Sequence, residues 1–371
     1  MNTIKNNLGI YVHIPFCNKK CPYCNFYSIN FDNFIIDKYV DKLYHTISKW
    51  SEKLTNKYVD TIYFGGGTPN LIGHNNIIKI INSIKKNFEC NLLEISIEIN
   101  PCSYKNMDFK LLKKAGVNRV SIGAQSINDN ELLLLGRTHT CEDIKKCLYE
   151  LKSSDINNVS LDLMLGIQKQ NSESLKKSLN FCANNNVNHI SVYMLKIEKG
   201  THYYNTKENL ILPCEDEEIN MYLQTHKILE NFGYVQYEIS NFFLNDKKCL
   251  HNLKYWNLDE YLGIGPSAHS FINSKRFYYS SSINDFLNNP KILTEPCENL
   301  EQEYIMLRLR LNEGIVYKKF EEKFGYTIPK IYIFNAKKYL NTEFLVLDKS
   351  GIRLTPKGFL VSNKIISDII Y

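Results

Sequence analysis

Six short runs rich in β-branched and aromatic residues constrain this chain more than any other feature. They are GIYVHI (9–14), TIYFGG (61–66), EISIEIN (94–100), RVSIGAQ (119–125), NVSLDLMLG (158–166) and HISVYMLKI (189–197). Between them lie stretches of helical periodicity, such as YVDKLYHTISKW and NIIKIINSIKKNF. Strand and helix alternating six times predict a parallel sheet with covering helices. Six units suit a partial (β/α)6 TIM-like barrel better than a short open sheet, with a doubly wound sheet as the alternative. The polar and glycine-rich residues fall mostly at the C-terminal ends of these runs. A cysteine cluster follows the first, GGGTP closes the second, Glu98 is near the end of the third and Gln125 ends the fourth. Asp162 lies within the fifth. In parallel barrels that rim is where chemistry is built.

After residue 200 the pattern changes. HNLKYWNLDEYLGIGPSAHS (251–270) is aromatic and glycine-rich and reads as loop with short elements. Residues 300–371 read as helical at first, then as strand-like pieces, EFLVLD and GIRLTPKGFLVSN. That predicts a small, mainly helical, winged-helix-like C-terminal α/β domain. The expected division is residues 1–235 for the barrel, 236–300 for a connecting region and 301–371 for the C-terminal domain. With 44% hydrophobic residues, a chain of 371 has ample material for such a core.

The first run leads into YVHIPFCNKKCPYCNFYS, which places Cys17, Cys21 and Cys24 in a C-x3-C-x2-C spacing. Thiolates are soft ligands, suited to zinc and iron–sulfur clusters. A structural zinc site would supply a second pair of cysteines or matching histidines, and none is near. Three thiols on one tight loop can hold three corners of a cubane [4Fe–4S] cluster, leaving the fourth iron without a protein ligand. The other eight cysteines, from Cys90 to Cys297, are scattered and read as small buried hydrophobes.

Eleven cysteines behind a start that lacks a charged segment followed by an apolar one point to a reducing, cytoplasmic setting. No apolar run approaches the length of a membrane span. The net charge of +6 is carried mostly by lysines, with only six arginines. Paired lysines such as Lys85-Lys86 fall in helix-like stretches and read as solvated faces. Nucleic acid is therefore not an expected partner. Peripheral contact with an anionic membrane is compatible with the charge.

C-x3-C-x2-C directly after the first strand of a βα series resembles the radical S-adenosylmethionine (SAM) superfamily. In that superfamily the amino acid part of SAM chelates the open iron, and the reduced cluster cleaves SAM to a 5′-deoxyadenosyl radical. GGGTP (65–69) resembles the superfamily segment that binds the SAM amino group. YVHIPFC, GGGTP, SIEINP, GVNRVSIGAQS, LGRTH and LDLMLGI together look like the coproporphyrinogen oxidase-like branch, the HemN/HemW group. The likeness runs from Tyr11 into a HemN-type C-terminal domain. It implies that Tyr11, Tyr23, Gly66, Gly67, Thr68, Glu98, Gln125, Arg137 and Asp162 surround SAM. Their chemistry is compatible: carboxylates accept from ribose hydroxyls, Arg137 offers a fork to a carboxylate, and glycines let backbone approach a ligand.

The branch holds two activities. Oxygen-independent coproporphyrinogen III oxidases decarboxylate two propionates to vinyl groups, whereas HemW-type proteins hold haem and pass it to acceptors. The oxidases carry a further cysteine two positions after the third ligand, where this chain has Phe26. HNLKYW (251–256) matches the HNxxYW signature of the HemW group. The signature implies His251 as a haem ligand, with Tyr255 and Trp256 as apolar planes beside it; an imidazole is a common axial ligand. His269 and Cys249 are weaker candidates. The resemblance thus implies a haem chaperone with a [4Fe–4S] cluster, SAM, and haem as bound cargo. Its partners would be haem-accepting proteins, respiratory ones among them, and it would form a cluster-dependent homodimer. The alternative is an active radical SAM enzyme, a coproporphyrinogen III oxidase or a related porphyrin-modifying activity. SAM cleavage is compatible with both.

Overall fold

A computed structural model of the chain describes residues 6–371. Six strands form its centre: β1 (Asn6–Ile14), β2 (Lys57–Gly66), β3 (Glu89–Ile99), β4 (Arg119–Gln125), β5 (Asn158–Leu165) and β6 (His189–Met194). They pair in parallel in that order, as the alternation of patterns predicts. Helices cover the outside: α1 (Asn33–Lys53), α2 (Gly73–Asn87), α3 (Phe109–Ala115), α4 (Cys141–Ser153), α5 (Ser172–Asn184) and α6 (Glu215–Asn231).

Further strands widen the sheet. They are β7 (Val235–Gln236), β8 (Asn241–Phe243), β9 (Tyr261–Ile264), β10 (His269–Ile272), β11 (Lys275–Tyr279) and β12 (Ile292–Glu295). The order is β12-β11-β10-β9-β1-β2-β3-β4-β5-β6-β8-β7. β9 runs parallel to β1, and the outer strands pair antiparallel. The two end strands do not pair with each other, so the barrel is partial and the sheet is mixed. Strands from the connecting region are therefore part of the barrel sheet.

Alternation along the strands sorts side chains to two faces. Leu8, Ile10, Val12 and Ile14 of β1 face outward and are fully buried, as are Ile62 and Phe64 of β2. They join Tyr39, Leu43 and Ile47 of α1 and Ile77, Ile80 and Ile84 of α2 in one apolar cluster. Each such side chain contributes about 1.5–3 kcal/mol on leaving water. The inner face is polar. It presents Thr61 and Tyr63 from β2, Glu94, Ser96 and Glu98 from β3, Arg119 and Ser121 from β4, Ser160 and Asp162 from β5, and His189 from β6. A polar lumen is tolerable only where its groups find partners or a ligand.

The C-terminal region has a small antiparallel sheet, Ile315–Val316 with Gly351–Leu354 and Leu345–Leu347, packed among short helices. The piece GIRLTPKGFLVSN reads as strand-like in sequence, and its first four residues are strand. Its second half is helical, Pro356–Leu360 and then Ser362–Ile370. The Thr355 side chain accepts from Gly358 N, and Pro356 occupies the first helical turn, where its missing N–H costs nothing. The scattered cysteines also divide. Cys147, Cys182 and Cys249 are buried, but Cys102 and Cys214 are exposed. Cys102 sits in the turn after β3 and Cys214 at the N-cap of α6, so neither reaches the core. No helix among the described residues is long and apolar enough to cross a membrane.

Candidate cofactor site

The cysteine loop is tied at both ends. Phe16–Cys17 pairs in parallel with Ile29–Asn30, and Phe31 N donates to Cys17 O at 2.9 Å. Cys24 N closes a turn onto Cys21 O at 3.1 Å. The glycine loop is stitched to the same strand: Gly67 N donates to Ile14 O and Thr68 N to Phe16 O, each at 2.8 Å. Two glycines here are required by geometry. Gly66 has φ 110°, and a Cβ on it would lie 2.5 Å from the His13 ring; a Cβ on Gly67 would lie 2.7 Å from Phe16 O.

Cys17, Cys21 and Cys24 are free, half-buried, and open on one cavity of about 440 Å³ at the C-terminal end of the strands. Cys17 Sγ is 3.6 Å from Thr68 Oγ1. Arg137 Nη1 donates to Cys21 Sγ at 3.4 Å and Nη2 to Gly123 O at 2.9 Å, while its buried Nε has no partner. Burial pushes the Cys24 thiol up. Of the nine residues expected around SAM, eight line this cavity: Tyr23, Gly66, Gly67, Thr68, Glu98, Gln125, Arg137 and Asp162. Tyr11 lies one layer below, its hydroxyl 3.1 Å from His13 Nδ1. Among the described residues, no three His, Cys, Asp or Glu converge as they would on a single metal ion. Three soft thiols spread around one cavity suit a polynuclear cluster instead, and the unpartnered Arg137 nitrogen beside them suits an anionic group.

The carboxylates in the wall are perturbed. Burial lifts Glu98 to about 7, opposed by the hydrogen bond that Tyr63 OH donates to Glu98 Oε1 at 2.8 Å. Burial raises Asp162 too, opposed by Ser191 and by the Arg119 charge. Ser121 Oγ donates to both Asp162 oxygens at 3.0–3.1 Å. Two carboxyl groups beside a cavity offer acceptors for a ligand's hydroxyl donors.

His251 lies elsewhere. It is on α7 (Leu250–Trp256), which closes the lower half of the barrel under the inner faces of β2 and β3. Glu94 accepts from Leu250 N at 2.8 Å and His251 N at 3.1 Å, capping that helix. His251 Nδ1 is 2.9 Å from Thr61 Oγ1, and Nε2 is 2.9 Å from Tyr255 OH. The ring is fully buried, and burial, with the Lys254 and Arg119 charges, lowers it to about 3. Tyr255 meets it edge-on, 89° between planes, so the two rings do not form a parallel slot. Cys249 is buried against Glu94, which with desolvation pushes its thiol well up. His269 is half-exposed on β10, stacked on Tyr278 and 3.5 Å from Glu295. The eight cavity residues thus come together with the cysteines, and the three haem-ligand candidates stand apart from them. Sequence reasoning passed over Glu94, Tyr63 and Arg119. The signal was present in EISIEIN, whose period of two puts Glu94, Ser96 and Glu98 on one face.

Comparison with known proteins follows the same lines. The model of the radical SAM superfamily matches residues 11–182, and that of the HemN C-terminal domain matches residues 298–361. The chain is 36% identical over 327 residues to the heme chaperone HemW of Buchnera aphidicola subsp. Schizaphis graminum, across 85% of this chain and 86% of that protein. It is 31% identical over 370 residues to the heme chaperone HemW of Bacillus subtilis, across 96% and 97%. The solved structure of the coproporphyrinogen III oxidase HemN of Escherichia coli superposes with a TM-score of 0.82, covering 98% of this chain and 90% of that one. At 22% identity that likeness is one of fold.

Proposed function

The chain belongs to the radical SAM superfamily and, within it, to the family of HemW heme chaperones, and from that premise we propose that it binds haem and hands it to acceptor haemoproteins. The observation that carries this over the oxidase reading is the contrast in kinship. Sequence identity of 31–36% over most of the chain connects it to heme chaperones, whereas the oxidase is connected by the fold, at 22% identity, and by the HemN C-terminal domain at residues 298–361. Phe26, 68% exposed on the cavity rim where the oxidases carry a cysteine, supports the same choice.

In this proposal Cys17, Cys21 and Cys24 hold the [4Fe–4S] cluster, which when bound supplies one-electron chemistry at SAM. The chain's own residues do the positioning. Glu98 and Asp162 accept from ribose hydroxyls, Gly66 and Gly67 admit backbone close to the ligand, and Gln125 adds a donor and an acceptor. Arg137, whose buried Nε has no partner, would hold the SAM carboxylate. His251 is the proposed haem ligand. With both ring nitrogens engaged, it reaches iron by exchanging Thr61 or Tyr255 for the metal. The acceptors are proposed to include respiratory haemoproteins met in the cytoplasm or at an anionic membrane surface. A cluster-dependent homodimer belongs to the same proposal.

The test uses anaerobically reconstituted protein. Haem titrated into the wild type and into His251→Ala is expected to give a Soret band that weakens or shifts in the variant; an unchanged spectrum and affinity remove His251 from the site. In parallel, coproporphyrinogen III is supplied with SAM and reductant. Formation of protoporphyrinogen IX would overturn the chaperone reading in favour of the oxidase.

A further inference from the structure

Tyr63 touches both the wall of the cofactor cavity and His251. It projects from the inner face of β2, between Thr61 and Gly65 on the same face. Its hydroxyl donates to Glu98 Oε1 at 2.8 Å, at the cavity wall. Its ring stacks on the His251 imidazole, centroids 5.3 Å apart and planes at 26°. Thr61, two residues back, holds His251 Nδ1. The ring also stacks with Tyr11 at 6.2 Å. Tyr63 is buried, so its ring cannot shift without moving a neighbour.

We propose that Tyr63 is a positioning residue that couples the cofactor cavity to His251, so that a hydroxyl-bearing nucleoside ligand at Glu98 and a haem at His251 alter each other's affinity. A ligand hydroxyl that donates to Glu98 competes for the carboxylate that Tyr63 now engages. Displacing the Tyr63 hydroxyl changes the seat of the ring on which His251 stacks. In the other direction, turning His251 toward iron removes a face from the Tyr63 ring and resets its hydrogen bond to Glu98. The inference rests on His251 being the haem ligand and Glu98 a SAM ligand, as proposed above.

Equilibrium coupling is reciprocal, which gives the test. The reconstituted full chain is titrated with haem, with and without saturating SAM, and with SAM, with and without saturating haem. Both affinities are expected to change by the same factor, on the order of fivefold or more. Tyr63→Phe keeps the ring and deletes the hydroxyl; whatever its affinity for either ligand alone, it is expected to bring that factor to one. A wild-type factor of one overturns the proposal, and so does a full factor retained in Tyr63→Phe.

A second readout needs no haem. The ring-nitrogen resonances of His251 in the cluster-loaded protein are expected to move when SAM is added, and to stay put in Tyr63→Phe. Resonances unmoved by SAM in the wild type overturn the coupling. If haem affinity is the same in His251→Ala, it is the haem-ligand reading that fails, and these resonances alone then decide the role of Tyr63. The wild-type measurements also stand by themselves should Tyr63→Phe fold poorly.

Discussion

The two halves of the barrel lumen are built from the same strands and from equally polar side chains, yet they end differently. In the lower half most polar groups meet one another, although Arg119 Nε and Nη1 and Asp60 Oδ1 are buried without a partner. Glu94 caps α7, Thr61 and Tyr255 take both nitrogens of His251, and Lys254 pairs with Asp60 at 2.8 Å. His189 Nε2 lies 2.8 Å from Tyr237 OH. In the upper half the polar groups face space. Three thiols, two raised carboxylates and the free Nε of Arg137 look into a cavity of about 440 Å³. A polar lumen that satisfies itself becomes structure, and one that does not becomes a binding site. The lower half therefore bears more on stability, and its proposed haem ligand is available only by exchanging a partner, whereas the upper half offers its groups directly to a ligand.

The comparison can be broken most directly at the cysteines. Cys17→Ala, or the same change at Cys21 or Cys24, is expected to abolish the brown cluster absorbance of reconstituted protein while leaving its far-ultraviolet dichroism unchanged. Loss of folded signal would mean that the upper half also carries stability. Next in size is Glu94→Ala. It leaves the first N–H groups of α7 unpaired and the buried Arg119 without its neighbouring carboxylate. The expected cost is about 3–5 kcal/mol in urea unfolding, with faster hydrogen exchange across α7.

Glu98 offers a smaller and pH-dependent effect. Its carboxyl titrates near 7 in the folded chain against an ordinary 4.5, so the folded state holds a proton that the unfolded state releases. Stability of the unliganded protein is accordingly expected to fall as pH rises from 4.5 through 7. SAM affinity should run the opposite way, rising across neutrality as Glu98 ionises and gains acceptor capacity. Glu98→Gln should flatten both profiles and weaken SAM about tenfold at pH 8, roughly one charge-assisted hydrogen bond. Calorimetric titration between pH 6 and 8 checks this; a wild-type SAM affinity that does not change with pH would count against Glu98 as a ligand. Smallest of all is Phe26→Ala. With the side chain 68% exposed, unfolding free energy should stay within about 0.5 kcal/mol of wild type, whatever happens to ligand binding.

The upper half was legible in the sequence because its signals are local. The three cysteines share one turn, GGGTP is a contiguous loop, and Glu98 and Gln125 sit at strand ends that the six apolar runs already mark. The lower half was not, because its signals are distant in the chain. That His251 faces inward depends on α7 packing against β2 and β3, and Thr61 is 190 positions away from it. HNLKYW announces a histidine followed by aromatics. It does not say that Tyr255, one helical turn on, will bind that histidine's Nε2. The helix Pro356–Leu360 escaped for a different reason: the strand-like GIRL before it and FLV at its end outweighed the Thr-Pro start.

With α7 packed under one end of the lumen, the cofactor cavity has its mouth at the other. The cysteines lie along the wall of that mouth, and the loop that carries them also forms part of its rim. Traffic through such a vessel is ordered like traffic in a blind alley: what enters first leaves last. In the proposed function a cluster would be seated before any small molecule that rests upon it. Repairing a damaged cluster would then require the mouth to be cleared first, so whatever fills the cavity also shields the metal from exchange and oxidation.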